Sequence, residues 1–125
     1  MRTLRQHYVV FEDQTAVKMG SGDLEVLATP ALVAMMENCS KNLISEELSN
    51  GQTSVGYKMD LRHLAPTAVG SKIEVASEIV YSDAKKISFA IRAFEGETLI
   101  GEAKHTRVIV EHSDFLKKVK QKHNM

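Results

Sequence analysis

The sequence lacks the features that mark several large classes of protein. Its single cysteine, Cys39, excludes an internal disulfide, and no CxxC or Cys/His cluster indicates a metal site. Its 16 basic and 16 acidic side chains balance, which argues against nucleic-acid binding or membrane attachment through bulk charge. No run approaches the roughly 18 apolar residues of a membrane span, and residues 1–14 lack the apolar stretch of a secretory signal. We therefore expect a cytoplasmic protein without a metal.

The composition that remains is that of an ordinary globular domain. The chain has 125 residues, of which 43% are hydrophobic and 26% are charged, and this is enough to bury a real core. No repeat or linker divides it, so residues 1–125 are interpreted as a single domain.

The spacing of apolar residues predicts short strands, then one long helix. Residues 7–11 and 15–19 have the alternation of short strands. From Thr29 to about Leu48 the period is helical, with Thr29 as the expected N-cap and Pro30 at the first helical position. The apolar stripe of this helix consists of Leu32, Met35, Met36, Cys39 and Leu43.

After Gly51 the period is two, which predicts three or four long antiparallel strands. Their inward faces are expected to carry Val55, Tyr57, Met59, Leu61 and His63; Ile73, Val75, Ile79 and Tyr81; Ile87, Phe89, Ile91 and Ala93; and, on a last strand over 98–111, Leu99, Ala103, His105, Arg107 and Ile109. Residues 113–125 are expected to form a short amphipathic helix or a frayed tail. Since only the helix is large enough to cover the sheet, the predicted fold is α+β, a hotdog fold with an antiparallel sheet wrapped around one central helix.

Glu37 interrupts the apolar pattern at the border of the helix stripe. A carboxylate there is partly removed from water, which makes it a better base near neutral pH. The alternative is that Glu37 reaches solvent or pairs with a nearby Lys or Arg.

His63 and Thr29 are the next two candidates. His63 continues an inward strand face, where an imidazole can act as acid, base or hydrogen-bond donor; the alternative is a histidine satisfied by a backbone carbonyl. Thr29 is expected to cap the helix, and the free N–H groups of a helix N-terminus can also hold an anion or an oxyanion. The two roles of Thr29 are compatible.

Two further positions stand out in the predicted strands. Gly56 lies among good strand formers, which indicates a bulge or the close approach of a ligand or another backbone. Arg107 is expected to point inward with His105, and a buried guanidinium requires a carboxylate, carbonyls or a ligand anion. The alternative is that this end of the strand is exposed to water.

Four segments together resemble the fluoroacetyl-CoA thioesterase-like branch of the hotdog-fold thioesterases. They are Ala28–Glu37, Ser54–Gly56, Leu61–Thr67 and His105–Val110, and the resemblance extends over roughly residues 10–111. The family separations are kept: Thr29 and Glu37 are eight residues apart, and Glu37 and His63 are twenty-six apart.

The resemblance implies hydrolysis of an acyl-CoA, or a related acyl thioester, to a carboxylic acid and a free thiol. It implies Thr29, Glu37 and His63 as the catalytic group, Gly56 near the acyl carbonyl, and Arg107 in support of the histidine. It also implies a homodimer with active sites at the subunit interface and no cofactor, with coenzyme A only as part of the substrate.

The substrate and the rival functions are less constrained. The helix and the loop before it lack aromatic residues, which suits a small or medium acyl chain, and nothing indicates fluoroacetyl specificity. Candidate contacts for the diphosphate of coenzyme A are Lys58, Arg62, Lys85 and Lys86. One rival is a non-catalytic module that binds acyl-CoA or another small ligand, and binding without turnover would reveal it. A hotdog hydratase or dehydratase is the other, and 3-hydroxyacyl-CoA and enoyl-CoA substrates would separate it from a thioesterase.

Overall fold

The computed structural model describes residues 2–123, and for His123 the backbone alone. The strands are β1 (Thr3–Val9), β2 (Gln52–His63), β3 (Lys72–Ser82), β4 (Lys86–Glu95) and β5 (Thr98–Glu111), and the helices are α1 (Ala16–Met19), α2 (Thr29–Ile44) and α3 (His112–His123). All neighbouring strands are antiparallel, in the order β1-β3-β4-β5-β2. With α2 packed on one face of this sheet, the fold is the predicted α+β hotdog.

The apolar stripe of α2 is the centre of the core, as predicted. All five of its members are buried: Leu32, Met35, Met36, Cys39 and Leu43. Gly101 on β5 allows the close approach of helix and sheet, because a Cβ there would lie 2.9 Å from Cδ2 of Leu32. A buried hydrogen bond of 2.8 Å between Ser40 and Ser77 also joins α2 to β3.

The inward faces of β3, β4 and β5 agree with the predicted alternation, with two exceptions, Leu99 and Tyr81. Leu99 is only half-buried and Ile100 is buried instead, because the pairing of β4 with β5 shifts register between Ala93 and Phe94. Buried residues recur at every second position: Ile73, Val75, Ile79, Ile87, Phe89, Ile91, Ala93, Ala103, His105 and Arg107. Tyr81 is 53% exposed instead of inward, because the pairing of β3 with β4 shifts register between Ile79 and Tyr81. Such a shift turns every following side chain to the other face.

The prediction for Tyr57 was wrong for the same reason. The register of β2 against β5 shifts between Gly56 and Lys58, so Tyr57 is the extra residue of a β-bulge. Its ring is 65% exposed and lies 4.9 Å from Nζ of Lys86.

Three element boundaries differ from the predicted ones. The first strand covers Thr3–Val9, and residues 15–19 form an isolated bridge at Thr15 followed by α1. Thr15 caps α1 by accepting a hydrogen bond from the N–H of Lys18, which favours a helical turn over a strand. The long helix ends at Ile44 and continues only as a 3-10 turn over Ser45–Glu47.

The chain closes with α3, as one of the two predictions for residues 113–125 stated. Its first N–H, that of His112, donates to the carbonyl of Gly51 at 2.9 Å. Every side chain from 112 to 122 is exposed, and residues 124 and 125 lie outside the described part of the chain. None of the helices within 2–123 is long and apolar enough to cross a membrane.

Candidate active site

Thr29 and His63 meet where α2 begins and β2 ends. Oγ1 of Thr29 lies 2.8 Å from Nδ1 of His63. The predicted cap was off by one residue: Ala28 is the N-cap and Thr29 is the first residue of the helix. The Thr29 hydroxyl is therefore directed to the histidine and does not cap its own helix.

His63 has one ring nitrogen in a hydrogen bond and one that is buried without a partner among the described residues. Its burial lowers the pKa of the imidazole below the usual value, so the neutral ring is favoured near pH 7. Nε2 is buried and has no hydrogen-bond partner among the described residues. When the Thr29 hydroxyl donates to Nδ1, Nε2 carries the proton and can donate it to a bound group.

Glu37 lies two helical turns after Thr29, and its carboxylate rests on Gly56. A Cβ at position 56 would collide with Oε2 of Glu37. This contact explains a glycine in the middle of a strand, since any side chain would displace the carboxylate. The Glu37 side chain remains 38% exposed, so it can meet a substrate as well as the protein.

Arg107 is the buried cation of the site, as its predicted inward position required. Its Nε donates to Oγ of Ser54 at 2.8 Å, and its Nη2 donates to the Ser54 carbonyl at 3.1 Å. Nη1 lies 3.9 Å from Oε2 of Glu37. Burial lowers the pKa of Arg107, and the charge of the Glu37 carboxylate opposes that shift.

His105 completes this cluster, although the sequence pattern predicted only its inward position and no role in the site. Its Nδ1 lies 2.8 Å from the carbonyl of Lys58, and its Nε2 lies 3.2 Å from Nη1 of Arg107. A carbonyl only accepts and a guanidinium only donates, so Nδ1 carries the proton and the ring is neutral. Burial, and then the charge of Arg107, lowers its pKa. Its inward position beside Arg107 on β5 was the available signal.

The structure brings the predicted site residues together in two groups. Thr29 and His63 form one, and Glu37, Gly56 and Arg107 form the other, with His105 and Ser54 added. Eight residues of α2 separate Thr29 from Glu37, a rise of about 12 Å. The hydrogen bonds of Arg107 go to Ser54 and His105, so the histidine that it contacts within the chain is His105.

The sulfur-containing residues of α2 and one of the candidate contacts for coenzyme A are accounted for by their surroundings. Met35 and Met36 are core residues, only 3% and 0% exposed. Burial raises the pKa of Cys39 to about 11, so its thiol is a poor nucleophile. Of the basic residues proposed for coenzyme A, Arg62 pairs with Glu102 at 3.2 Å. No group of metal-ligating side chains occurs within residues 2–123.

Comparison with known proteins identifies the relatives of this arrangement. Residues 10–113 match the family described as FlK, fluoroacetyl-CoA-specific thioesterase. The chain is 30% identical over 98 residues to a fluoroacetyl-CoA thioesterase from Streptantibioticus cattleyicolor, covering 78% of this chain and 70% of that protein.

Solved structures give the same result. A crystal structure of FlK aligns with a TM-score of 0.91 at 25% identity, over 96% of this chain and 93% of the other. A variant of FlK in complex with fluoroacetate and CoA aligns with a TM-score of 0.90 at 26% identity, over 95% and 98%. A thioesterase superfamily member from Thermus thermophilus, at 21% identity and a TM-score of 0.87, covers 98% and 93% and shares the fold.

The class of protein follows from the fold together with these relatives: a hotdog-fold thioesterase, which hydrolyses acyl-CoA thioesters. Within that class, the chain belongs to the fluoroacetyl-CoA-specific thioesterase family.

Proposed function

We propose that two copies of this chain pair through β2 and hydrolyse a small or medium acyl-CoA, with each active site shared between them. The supporting observation is that the site is divided within one chain. Thr29 and His63 form one pair, and Glu37 and Gly56 form another pair some distance away. His63 and Gly56 nevertheless lie on the same strand, β2. A second copy supplies the missing half of each site.

The position of β2 favours this pairing. It is an edge strand of 12 residues whose one neighbour in the described sheet is β5. A long unpaired edge is a ready template for another strand, and a two-fold axis makes the added strand antiparallel. Antiparallel pairing runs the partner's His63 towards Gly56, so that the two halves face each other across the axis.

Hydrolysis needs a base, an oxyanion donor and a proton for the leaving thiolate. Glu37 removes a proton from water as the water attacks the thioester carbon. A backbone N–H near the bulge at Gly56 stabilises the oxyanion, a contribution of about 10²–10³ in rate for one donor. As the C–S bond breaks, the Nε2–H of the partner's His63 donates a hydrogen bond to the departing thiolate. The proton that Glu37 took from the water then passes to this sulfur through solvent, which restores the Glu37 carboxylate.

Two roles for Thr29 fit this scheme, and an experiment can distinguish them. In one, its hydroxyl fixes the tautomer of His63 and orients water. In the other it is the nucleophile, because a hydroxyl 2.8 Å from an imidazole is also the geometry of a nucleophile and its base. A burst of thiol and an acyl-protein mass after rapid quenching identify the second route, and their absence identifies the first.

The side chains and the charges near the site indicate the class of substrate. No aromatic residue occurs in α2 or in the loop before it, which suits a small or medium acyl chain. Lys58 and Lys86 are exposed beside the bulge and are our candidates for the phosphates of coenzyme A. The reaction requires no cofactor or metal, and we place it in the cytoplasm.

A thiol-release assay over acyl-CoA substrates of increasing chain length tests the proposal. We expect turnover that peaks at a short or medium chain, and a fall of about 10²–10⁴ in kcat for His63→Ala. His7→Ala is the matched control, since His7 is exposed on β1. Binding of acyl-CoA without turnover, or full activity in His63→Ala, would contradict the proposed reaction or its site.

A further inference from the structure

The helix α3 presents an amphipathic surface whose apolar side chains remain exposed among residues 2–122. At 100° per residue, Phe115, Leu116 and Val119 share one side, and they are 38%, 44% and 51% exposed. Lys117, Lys118 and Lys120 lie on the other sides, and Lys122 lies two turns after Phe115; the one carboxylate of the helix is that of Asp114. A 12-residue helix is marginal by itself in water, so its persistence calls for a contact on the apolar side.

The segment 11–28, which leads into α2, carries the complementary surface. Four exposed apolar side chains lie on it: Phe11, Val17, Met19 and Leu24, at 62%, 44%, 45% and 69% exposure. Its charged residues are Glu12, Asp13, Asp23 and Glu25 against Lys18, all of them exposed. The segment therefore has a net charge of −3 with exposed apolar groups, whereas α3 has a net charge of +3 with exposed apolar groups.

The two surfaces lie at opposite ends of β2 within one chain. α3 starts beside Gly51, at the first residue of the strand. Segment 11–28 lies beyond the other end, where the N–H of Leu27 donates to the carbonyl of Thr67 at 2.9 Å. The 12 residues of β2 span roughly 36 Å, and so they hold the two surfaces apart.

Antiparallel pairing of β2 between two copies brings the two surfaces together, one from each copy. It brings the first residue of β2 in one protomer opposite the last residues of β2 in the other. The start of α3 then lies beside the loop that follows the partner's His63, which is the loop that holds the partner's segment 11–28.

We propose that α3 of each protomer docks on segment 11–28 of its partner, with apolar groups in the centre and the lysines against the carboxylates. The inference rests on the β2-paired dimer proposed above. Its consequence is functional as well as structural, because segment 11–28 ends at Thr29. Docking then braces the entrance of the partner's site and couples that site to the presence of the second copy.

Cross-linking tests the contact directly. The only native cysteine, Cys39, is buried, so introduced cysteines react without background. We expect Leu24→Cys chains mixed with Leu116→Cys chains to give a covalent dimer with a bis-maleimide. Thr3→Cys replaces Leu24→Cys in the control, because Thr3 is exposed on β1 at the far edge of the sheet. A yield no higher than that of the control would overturn the docking.

Charge reversal gives an independent measurement. Lys117→Glu, Lys118→Glu and Lys120→Glu together should raise the dimer dissociation constant about tenfold at low salt, since each exposed ion pair contributes only modestly to binding. Reversing Glu12, Asp13 and Glu25 to lysine in the same chain should restore it. An unchanged dissociation constant with a raised KM for acyl-CoA would overturn the docking and assign α3 to the coenzyme A phosphates.

These outcomes separate this inference from the proposed function. A dimer that is active and does not cross-link between positions 24 and 116 overturns the docking and leaves the shared site standing. A protein that is monomeric and active overturns both.

Discussion

The two halves of the candidate site are built in different ways. Glu37 rests on a braced cluster, in which Arg107, His105 and Ser54 are 6%, 2% and 8% exposed and are joined by three hydrogen bonds. Thr29 and His63 lie at the ends of their elements and share a single hydrogen bond. The fold thus fixes the carboxylate half by itself, whereas in the histidine half the buried Nε2 of His63 has no hydrogen-bond partner among the described residues.

Because the two halves are built differently, we expect substitutions in them to affect activity and stability differently. A fixed array of charge and dipoles stabilises a transition state without reorganisation, so small displacements of the carboxylate half are costly to the rate. Changes to the braced cluster should also lower stability, while changes to the Thr29–His63 pair should affect turnover alone.

Glu37→Gln should have the largest effect. The amide keeps the size of the side chain and removes the base, so kcat should fall about 10²–10⁴-fold. It also removes the negative charge that faces the buried Arg107, so the melting temperature should fall as well. Glu25→Gln is a matched control on an exposed residue before α2. If Glu37→Gln kept more than a tenth of the parent kcat, Glu37 would not be the base.

Gly56→Ala should come next. The added methyl group occupies the place of the Glu37 carboxylate, and a displacement of about 1 Å costs roughly 10² in rate. The chain should still fold, because the glycine is exposed and has no positive φ. If Gly56→Ala were as active as the parent, the carboxylate would not need the position that the structure gives it.

His105→Gln should reveal the stability of the braced half. It removes the partners of Arg107 and of the Lys58 carbonyl, a loss of about 1–3 kcal/mol in the free energy of unfolding. His63→Ala should lose much less, since His63 lies at a strand end. Urea unfolding of the two variants compares the halves, and equal losses would contradict the difference between them.

Lowering the pH should reduce the stability of the fold through His105. The pKa of His105 is lowered in the folded state, so below about 6.5 the unfolded chain binds more protons than the folded one. The contribution of His105 is therefore complete above that value and is lost as the pH falls towards its folded pKa. Urea midpoints at pH 7.5 and pH 5 should differ less in His105→Gln than in the parent.

The smallest expected effect is on the pH at which kcat/KM falls on the acid side. Because burial lowers the pKa of His63, half-maximal kcat/KM on the acid side should lie below the ordinary histidine value of about 6.5. A limb above that value would indicate that another group, or a charged His63, governs the reaction. The measurement is a pH profile of the free enzyme.

Sequence reasoning predicted the parts of the molecule that depend on regular periodicity. The stripe of α2, the alternation of β4 and the inward position of Arg107 all follow from one face of an element being buried. The bulges at Tyr57 and before Tyr81 interrupt that periodicity. Gly56 indicated either a bulge or a close approach without deciding between them, and no residue type marks the shift before Tyr81, so the orientation of both tyrosines was missed.

The site shows the same limit. Thr29 was predicted as a cap because local hydrogen bonding explains a threonine before a proline. Its real partner, His63, is 34 residues away, and such a contact depends on the fold. The role of His105 was missed because its two partners, Lys58 and Arg107, are fixed only by the strand register.

Complementation between two inactive variants tests the shared site most directly. An equal mixture of Glu37→Gln and His63→Ala chains, after unfolding and refolding together, forms mixed dimers in which one site has both native residues. We predict that activity returns to about a quarter of the parent value per chain, since half of the dimers are mixed and each has one intact site. Activity no greater than that of the two variants alone, in a mixture shown to contain mixed dimers, would contradict a site built from two copies of the chain.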